Sequence, residues 1–509
     1  MKRRFIKYIL GVVLMSSTLV SCDLDTSPTT ALEDTKVFKT TAGNEKVWTG
    51  SWVYLMETFN SLANPGYGSF LRASDAMGND AVLNGNYGFA SHYKFSAIYG
   101  KGGTNTLSWV MTYKVINNMN NIIDKIDASE GSTVDKKRIK GQALALRGFM
   151  YLHLASSYAY AIDLDPEAKI APIYLTPTTA STQPKPLASV RELYNQSVKD
   201  LEDAYGMIPD LTAYRRGSDK FKIDQQVVLG LLSRANLYAR NWEKAKKYSD
   251  LALTNNDRLM NEAEYKSGFN DAGNVEWIWG HLQTPEQNDA SYQFHFLDTT
   301  SPDSYYYSFN ADPHFRDLFD EGDYRKKMMY WAPNPAIKEP TDNAAGYMRY
   351  AKFKFRMPEV ADIVLMRTAE IYLINAEAKA QLGDADGITK LNQLKVARGA
   401  KIINGLAGKD LLEAIYLERR KELFGEGFAL VDIIRNQKAV ERKPIPVGMT
   451  IPYTYEKTNK DGTVTKVTVN LKANGHNVLN FPDKSDFVAN SKYYLYRITD
   501  SELNENPNI

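Results

Sequence analysis

The sequence predicts a mainly α-helical protein with a loop-rich lobe and a few short β-hairpins. Three observations predict this fold class. Long stretches carry apolar residues at helical spacing, several helices come in tandem pairs, and the segments between the pairs are rich in Gly, Pro, Asn and aromatic residues. Hydrophobic residues make up 43% and charged residues 24% of the 509 residues, so the chain can bury a sizeable core.

Apolar periodicity places the helices. The segments expected to be helical are 40–62, 107–126, 141–161, 190–205, 227–240, 369–396 and 408–435, the last with a Gly-rich break at 425–427. The join YARNWEKA (238–245) resembles the turn of a tetratricopeptide helix pair, and QLGDADG (381–387) makes a second such turn. Tandem pairs of this kind indicate a tetratricopeptide-like helical scaffold.

Two segments lack a sustained period and are expected to be loops. Residues 66–104 are rich in Gly and Asn, and residues 258–360 alternate Pro, Asn, Asp and aromatics. Long loops in compact folds are often functional. Near the C-terminus, TIPYTYEKT and TVTKVTVNL flank NKDG (459–462), which predicts a β-hairpin.

The N-terminus is typical of an export signal. Lys2, Arg3, Arg4 and Lys7 precede an apolar run from Tyr8 to Val20, which is shorter than the roughly 20 residues of a membrane-spanning helix. Cys22, the single cysteine of the chain, follows in LVSC (19–22), which resembles a bacterial lipobox. In that motif the signal is cut before the cysteine and the cysteine is acylated, so Cys22 is the predicted lipidation site.

Composition and motifs argue against several function classes. A net charge of +2 does not favour a nucleic-acid binder. The six histidines are scattered without HExxH spacing, and phosphate-loop, dinucleotide and G-x-S-x-G motifs are absent from the sequence. We expect no cofactor; Ca²⁺ bound by loop oxygens stays open, although EF-hand spacing is absent. The charged run at 418–422 is interpreted as a helical ion-pair network.

The aromatic loops are the best candidate binding surface. Sugars have apolar C–H faces that stack on flat rings and polar rims that hydrogen-bond to Asp, Asn and Arg. The chain has 32 Tyr, 20 Phe and 7 Trp, and many lie in the two loop segments. The candidate ligand-binding residues are Asp75, Asp80, Asn84, Tyr87, Tyr93, Tyr305, Tyr306, Tyr307 and Trp331. For any one ring the alternative is packing beneath its loop.

Ordered motifs across about 480 residues resemble the SusD/RagB family, the surface nutrient-binding lipoproteins of Bacteroidetes. After the cysteine these are LDTSP (24–28), KGQALALRGFMYLHLASSYA (140–159), DIVLMRTAEIYLINAEA (362–378), ERRKELFGEGFALVDIIR (418–435) and a closing NPN (506–508). The resemblance implies a SusD-like helical scaffold, no catalysis, and ligand sites in variable loops. It therefore assigns no binding residue here.

The resemblance also implies a location and a partner. We expect a lipid-anchored outer-membrane protein facing the cell exterior, which binds extracellular oligosaccharide or polysaccharide and passes it to a SusC-like TonB-dependent transporter. The alternatives are a peptide-binding, RagB-like uptake component and a surface glycoside hydrolase. The expected organisation is a signal peptide (1–21), a tether (22–36) and a SusD-like domain (37–509), with its scaffold mainly in 105–257 and 361–436, its ligand lobe mainly in 63–104 and 258–360, and a hairpin region in 440–509.

Overall fold

Helices form most of the regular structure in the computed structural model, which describes residues 34–59, 65–83, 88–98 and 103–509. In chain order they are α1 (Asp34–Val37), α2 (Thr41–Glu57), α3 (Gly66–Ala76), α4 (Ala90–Tyr93), α5 (Gly103–Lys125), α6 (Thr133–Ser157), α7 (Val190–Met207), α8 (Gln225–Tyr238), α9 (Trp242–Asn255), α10 (Glu262–Tyr265), α11 (Phe294–Leu297), α12 (Pro313–Arg316), α13 (Tyr324–Lys327), α14 (Thr368–Gln381), α15 (Gly387–Ala397), α16 (Gly408–Glu422), α17 (Ala429–Arg435) and α18 (Asp500–Glu505). The predicted helical segments are confirmed, with shifted ends.

The strands are short and belong to small sheets. They are β1 (Ala81–Leu83), β2 (Lys169–Ala171), β3 (Ala188–Ser189), β4 (Trp277–His281), β5 (Phe309–Ala311), β6 (Met329–Ala332), β7 (Ala345–Tyr350), β8 (Ile363–Arg367), β9 (Thr450–Thr458) and β10 (Val464–Ala473). Strands β9 and β10 form the predicted hairpin, and β10 also pairs in parallel with β7, giving the order β6–β7–β10–β9. Antiparallel pairs join β1 to β5, β2 to β3 and β4 to β8.

The scaffold consists of consecutive helices packed side by side, as the tandem pattern predicts. Helix α6 packs on α7, α8 on α9, and α14 on both α9 and α15. Local sequence fixes the helix starts: Ser189 caps α7 in a reciprocal capping box with Glu192. Gly148 lets α6 and α7 approach closely, since a Cβ there would lie 3.0 Å from the Ser197 carbonyl oxygen. Most buried apolar side chains form one continuous core, and a second cluster lies between α14, α15 and α16.

The prediction of a continuous loop over 66–104 is wrong at its start, because Gly66–Ala76 is helix α3. The glycines in GYGSF suggested a loop. However, Tyr67, Phe70 and Ala73 follow at helical spacing and are buried, and Gly66 adopts a φ of +52° just where the helix begins. Tertiary burial of that apolar face outweighs the poor helix propensity of glycine.

A buried ion cluster joins segments that are distant in the sequence. We use this name for the set Glu276, Asp323, Arg325, Lys352, Arg367, Arg398, Glu418, Glu422 and Glu426, whose side chains are at most 3% exposed. At its centre, Glu422 accepts hydrogen bonds from Arg325 (2.6 Å), Arg367 (2.5 Å) and Arg398 (2.8 Å). Burial alone would raise the pKa of Glu422, but these guanidinium groups outweigh it and hold that pKa well below its usual value.

The ion pairs of the 418–422 segment are therefore mostly long-range, which corrects the prediction of a network within one helix. Glu418 pairs with Arg325, Arg419 with Asp432 and Arg420 with Asp80, while Lys421–Glu418 is a pair within the helix. Helical spacing identified residues able to pair along α16. Their actual partners come from elsewhere, because the faces of α16 that carry them are buried against other segments.

Within the described ranges, no helix is both long enough and apolar enough to span a bilayer.

Replacing Glu422 by Gln removes the negative charge that faces three buried arginines. Breaking a buried ion pair costs about 3–5 kcal/mol, because the remaining charges are left uncompensated. We expect a loss of that size in the free energy of unfolding, measured by denaturant titration. The control is Asp203→Asn, which removes an exposed pair with Lys199 and should cost less than about 1 kcal/mol. Equal losses in the two variants would contradict the central role of Glu422.

Candidate functional site

The two candidate loop segments lie side by side in the structure. Strand β1 from the first pairs antiparallel with β5 from the second, with Val82 opposite Asn310. The backbone N–H of Asp312 also donates to the carbonyl of Asp80 at 2.8 Å. The candidate side chains nevertheless separate into an exposed aromatic surface and a set of buried groups.

Tyr305 presents the most exposed ring among the candidates that the structure describes. Its side chain is 57% exposed, and one ring face stacks on His295 with the ring centres 3.8 Å apart and the planes 11° from parallel. The Tyr305 hydroxyl donates to Glu359 Oε1 at 2.6 Å. Contacts therefore hold the ring on one face and at its hydroxyl, while much of its surface faces solvent.

Neighbouring rings extend this surface, and we call Phe59, Tyr292, Tyr305 and Tyr306 the aromatic shelf. The hydroxyls of Tyr292 and Tyr306 lie 2.8 Å apart, within hydrogen-bond distance. Tyr306 stacks on buried Phe296 with ring centres 4.5 Å apart, and Phe59, 41% exposed, lies edge-on to Tyr292. The shelf thus combines exposed ring surface with hydroxyl groups at its edges.

Backbone hydrogen bonds fix the shelf loop to helix α11. The N–H groups of Tyr306 and Tyr307 both donate to the carbonyl of His295 at 3.1 Å, and the N–H of Ser308 donates to the carbonyl of Phe296. Tyr307 takes a φ of +42°, in the left-handed region that residues with a side chain seldom adopt. A backbone held in this way positions the rings before any ligand arrives.

Arg349, a buried arginine, clamps the far side of the same loop. It is 1% exposed, and Nη1 donates to the Tyr307 carbonyl at 3.1 Å while Nη2 donates to the Pro333 carbonyl at 2.8 Å. Its Nε has no hydrogen-bond partner among the described residues. Burial lowers the pKa of Arg349 to about 10. Arg349 therefore acts on the shelf by positioning Tyr307.

Trp331 lies near this region but is partly buried against the core. On strand β6 it pairs with Met348, whereas Tyr330 pairs with Arg349. Because side chains alternate across a strand, Trp331 lies on the opposite sheet face from Tyr330, which is 45% exposed. Its part in ligand binding stays a prediction.

Asp75 lies inside the protein, 4% exposed, at the end of helix α3. Its two carboxylate oxygens accept the N–H of Gly427 at 3.0 and 2.9 Å, and Arg72 Nη2 lies 3.2 Å away. Burial raises the pKa of Asp75 to about 7, against the opposing influence of Arg72. These contacts link α3 to the junction between α16 and α17.

Asp80 and Tyr93 are also buried. Asp80 receives a bidentate pair from Arg420, with Nη2 at 2.6 Å and Nε at 3.2 Å. The ring of Tyr93 is 1% exposed, and its hydroxyl lies 2.8 Å from His476 Nδ1. Arg442 lies 4.2 Å from the ring centre. In this conformation the Tyr93 ring is closed off from solvent, whereas Asp80 borders a cavity together with Asp75.

Three predicted residues, Cys22, Asn84 and Tyr87, lie outside the described residues. Sequence reasoning also missed shelf members. Phe59 falls within the segment predicted to be helical (40–62), but α2 ends at Glu57. Tyr292 and His295 are three residues apart, and this spacing brings side chains together on one helical turn. That spacing was the signal in the sequence that could have placed the two rings together. Glu359, from a distant loop, had no local signal.

In the ranges described, no group of three or more His, Cys, Asp or Glu side chains is arranged to hold a metal ion. Loop carboxylates of the described segments also accept hydrogen bonds from their own backbone. For example, Asp298 Oδ1 accepts the N–H groups of Thr300 and Ser301, both at 3.0 Å.

Two family models match the chain. The model described as the SusD family matches residues 321–509, and the model described as starch-binding associating with outer membrane matches residues 55–237. A SusD-like protein from Formosa agariphila is 25% identical over 394 residues, which are 67% of this chain and 74% of that protein.

Solved structures are similar over nearly the whole chain. A SusD-like carbohydrate binding protein from Bacteroides vulgatus is 59% identical, with a TM-score of 0.88, and the match covers 92% of this chain and 97% of that one. A putative sugar binding protein from the same species has a TM-score of 0.72 at 23% identity, with the same coverage of both chains, and so supports the fold alone.

The raised pKa of Asp75 predicts a pH-dependent stability. The folded protein holds the Asp75 proton up to about pH 7, whereas the unfolded chain releases it near its ordinary value of 3.8. Stability from this group is therefore present at low pH and is lost as pH rises, by at most about 1.4 kcal/mol per pH unit. Asp75→Asn removes the titration, so the stability of the wild type relative to this variant should fall from about pH 4 to about pH 7 and level off above that.

Denaturant titrations at several pH values measure this difference. The matched control is the exposed Asp210, whose pKa is lowered by the hydroxyl of Thr212, so that it stays ionised over the same range. Between about pH 5 and pH 7, Asp210→Asn should show a difference from the wild type that does not change with pH. A flat difference for Asp75→Asn as well would contradict the assignment.

Proposed function

Since this chain belongs to the SusD family, we propose that it binds extracellular oligosaccharide or polysaccharide on the aromatic shelf, without cleaving it. The single observation that carries this proposal is the exposed Tyr305 ring, which is fixed by stacking on His295 and by its bond to Glu359. A similar protein of known structure is described as carbohydrate binding, which supports the same ligand class.

The shelf offers contacts for both the apolar face and the polar rim of a sugar. An exposed aromatic ring stacks on the apolar C–H face of a pyranose, and its preorganisation lowers the entropy cost of binding. The edge of the shelf supplies the paired hydroxyls of Tyr292 and Tyr306 and the carboxylate of Glu359. Hydroxyl groups both donate and accept, and a carboxylate accepts, so this rim suits a ligand rich in hydroxyls.

The remainder of the proposal concerns location and delivery. Cys22 becomes the acylated N-terminus of the mature protein and anchors it in the outer membrane, facing outward. Each buried lipid CH₂ contributes about 0.8 kcal/mol, so several acyl chains hold a large domain at a bilayer. The bound glycan is passed to a SusC-like TonB-dependent transporter. The lipobox LVSC and a family model named for association with the outer membrane support the outer-membrane location.

Replacing Tyr305 by Ala should weaken glycan binding with little change in stability. The variant loses the stacking face, and we expect its affinity to fall about tenfold, which corresponds to about 1.4 kcal/mol. Isothermal titration calorimetry with an oligosaccharide panel that includes starch fragments measures this change. Tyr305→Phe keeps the ring but loses the bond to Glu359, so its affinity should lie between those of the wild type and Tyr305→Ala.

The matched control is Tyr160→Ala. Tyr160 is half-buried, lies outside the shelf and sits near Lys492. Its replacement should leave affinity unchanged. An unchanged affinity in Tyr305→Ala would remove the shelf as the site. New reducing ends would identify a hydrolase, and binding restricted to a peptide panel would favour the peptide-binding alternative.

A further inference from the structure

Glu359 has an unusual backbone conformation beside the aromatic shelf. Its φ is +59°, in the left-handed region that residues with a side chain seldom adopt. A tight turn holds this conformation, because Met357 and Val360 exchange backbone hydrogen bonds at 3.4 and 3.0 Å. Asn288 Nδ2 also donates to the Glu359 carbonyl at 3.2 Å. Backbone strain of this kind clusters at ligand sites, which points to a functional role for the Glu359 side chain.

The Glu359 carboxylate keeps one oxygen open to a ligand. Oε1 accepts the hydroxyl of Tyr305, whereas Oε2 has no hydrogen-bond partner among the described residues, and the side chain is exposed. Arg356, the cationic residue of the same turn, is paired with Asp362 at 3.2 Å. Arg349 lies behind the shelf loop, is 1% exposed and donates to carbonyl groups of the protein. Neither arginine neutralises Glu359.

Further exposed carboxylates lie close to the shelf along the chain. Asp303 belongs to the shelf loop, and Glu286 and Asp289 lie within two residues of Asn288, which contacts Glu359. None of these carboxylates forms an ion pair with a described residue. Exposed charges act over about 8 Å at physiological ionic strength, so these groups add to the negative potential at the shelf.

A ligand that stacks on the Tyr305 ring therefore meets uncompensated negative charge. A hydroxyl or an ammonium group can donate to Glu359 Oε2, whereas a carboxylate or a sulfate only accepts and is repelled. We propose that Glu359 is a specificity-determining residue that restricts the shelf to glycans without acidic groups. This inference rests on the proposed function, because it concerns which glycans the same shelf accepts.

The test compares each neutral oligosaccharide with its own acidic form. The calorimetry panel is extended with members whose primary hydroxyls are oxidised to carboxylates, and all are titrated into the purified full chain. The wild type should bind the acidic form at least about tenfold more weakly than the neutral form, since like charges in contact at a protein surface repel strongly. Added NaCl at about 0.5 M should reduce this ratio, because salt screens exposed charges.

Glu359→Gln isolates the charge from the lost hydroxyl. Its amide oxygen can still accept from Tyr305, so the ring keeps its support, and the ratio of neutral to acidic affinity should fall to about threefold or less. The matched control is Asp210→Asn, which removes an exposed carboxylate outside the shelf and should leave the ratio unchanged.

The inference and the proposed function fail in different ways. Acidic forms that bind the wild type as tightly as neutral forms would overturn the selection, while glycan binding would stand. An unchanged ratio in Glu359→Gln, or an equal fall in Asp210→Asn, would overturn the assignment to Glu359. If no member of the panel binds the wild type, neutral or acidic, the proposed function itself is overturned.

Discussion

The buried ion cluster constrains where the other parts of the chain lie. Arg325, Arg367 and Arg398 come from α13, the end of β8 and the residue after α15, and all three meet at Glu422 on α16. Charged groups buried away from water are tolerated only when each is paired. Removing one partner leaves the other charge buried without compensation. The loops and short strands between the helix pairs are therefore positioned by charge pairing as well as by their buried aromatic and aliphatic side chains.

The buried ion cluster is also connected to the segment that supports the aromatic shelf. Lys352 donates to Glu426 at 2.6 Å and to the Phe424 carbonyl at 2.7 Å, which ties the chain after β7 to the cluster. Arg349, near the end of the same strand, holds the Tyr307 carbonyl. Lys352 of this buried network thus lies three residues along the chain from Arg349, which holds the shelf loop. Such support lets an exposed ring keep its place without being buried itself.

The sequence predicted the long helices and the C-terminal hairpin because their apolar periods and turn residues are local signals. It could not predict the roles of polar residues whose partners are distant. Asp75 was a plausible loop ligand by residue type, but it lies on a helix whose apolar face is buried, and Gly427 and Arg72 occupy its oxygens. Tyr93 and Tyr305 have the same side chain, and tertiary packing alone decides that one is core and the other shelf.

The shelf loop separates support from recognition. Its backbone is held by the carbonyl of His295, the carbonyl of Phe296 and the guanidinium of Arg349, and none of these contacts uses the Tyr305 ring. The ring itself is held by stacking on His295, by its bond to Glu359 and by edge-on contacts with Tyr292 and Tyr306. A different side chain at position 305 would therefore alter what the shelf binds while leaving the loop in place. Charge pairing inside the protein maintains the scaffold, while the Tyr305 ring is held in place by its own contacts and keeps much of its surface open to solvent.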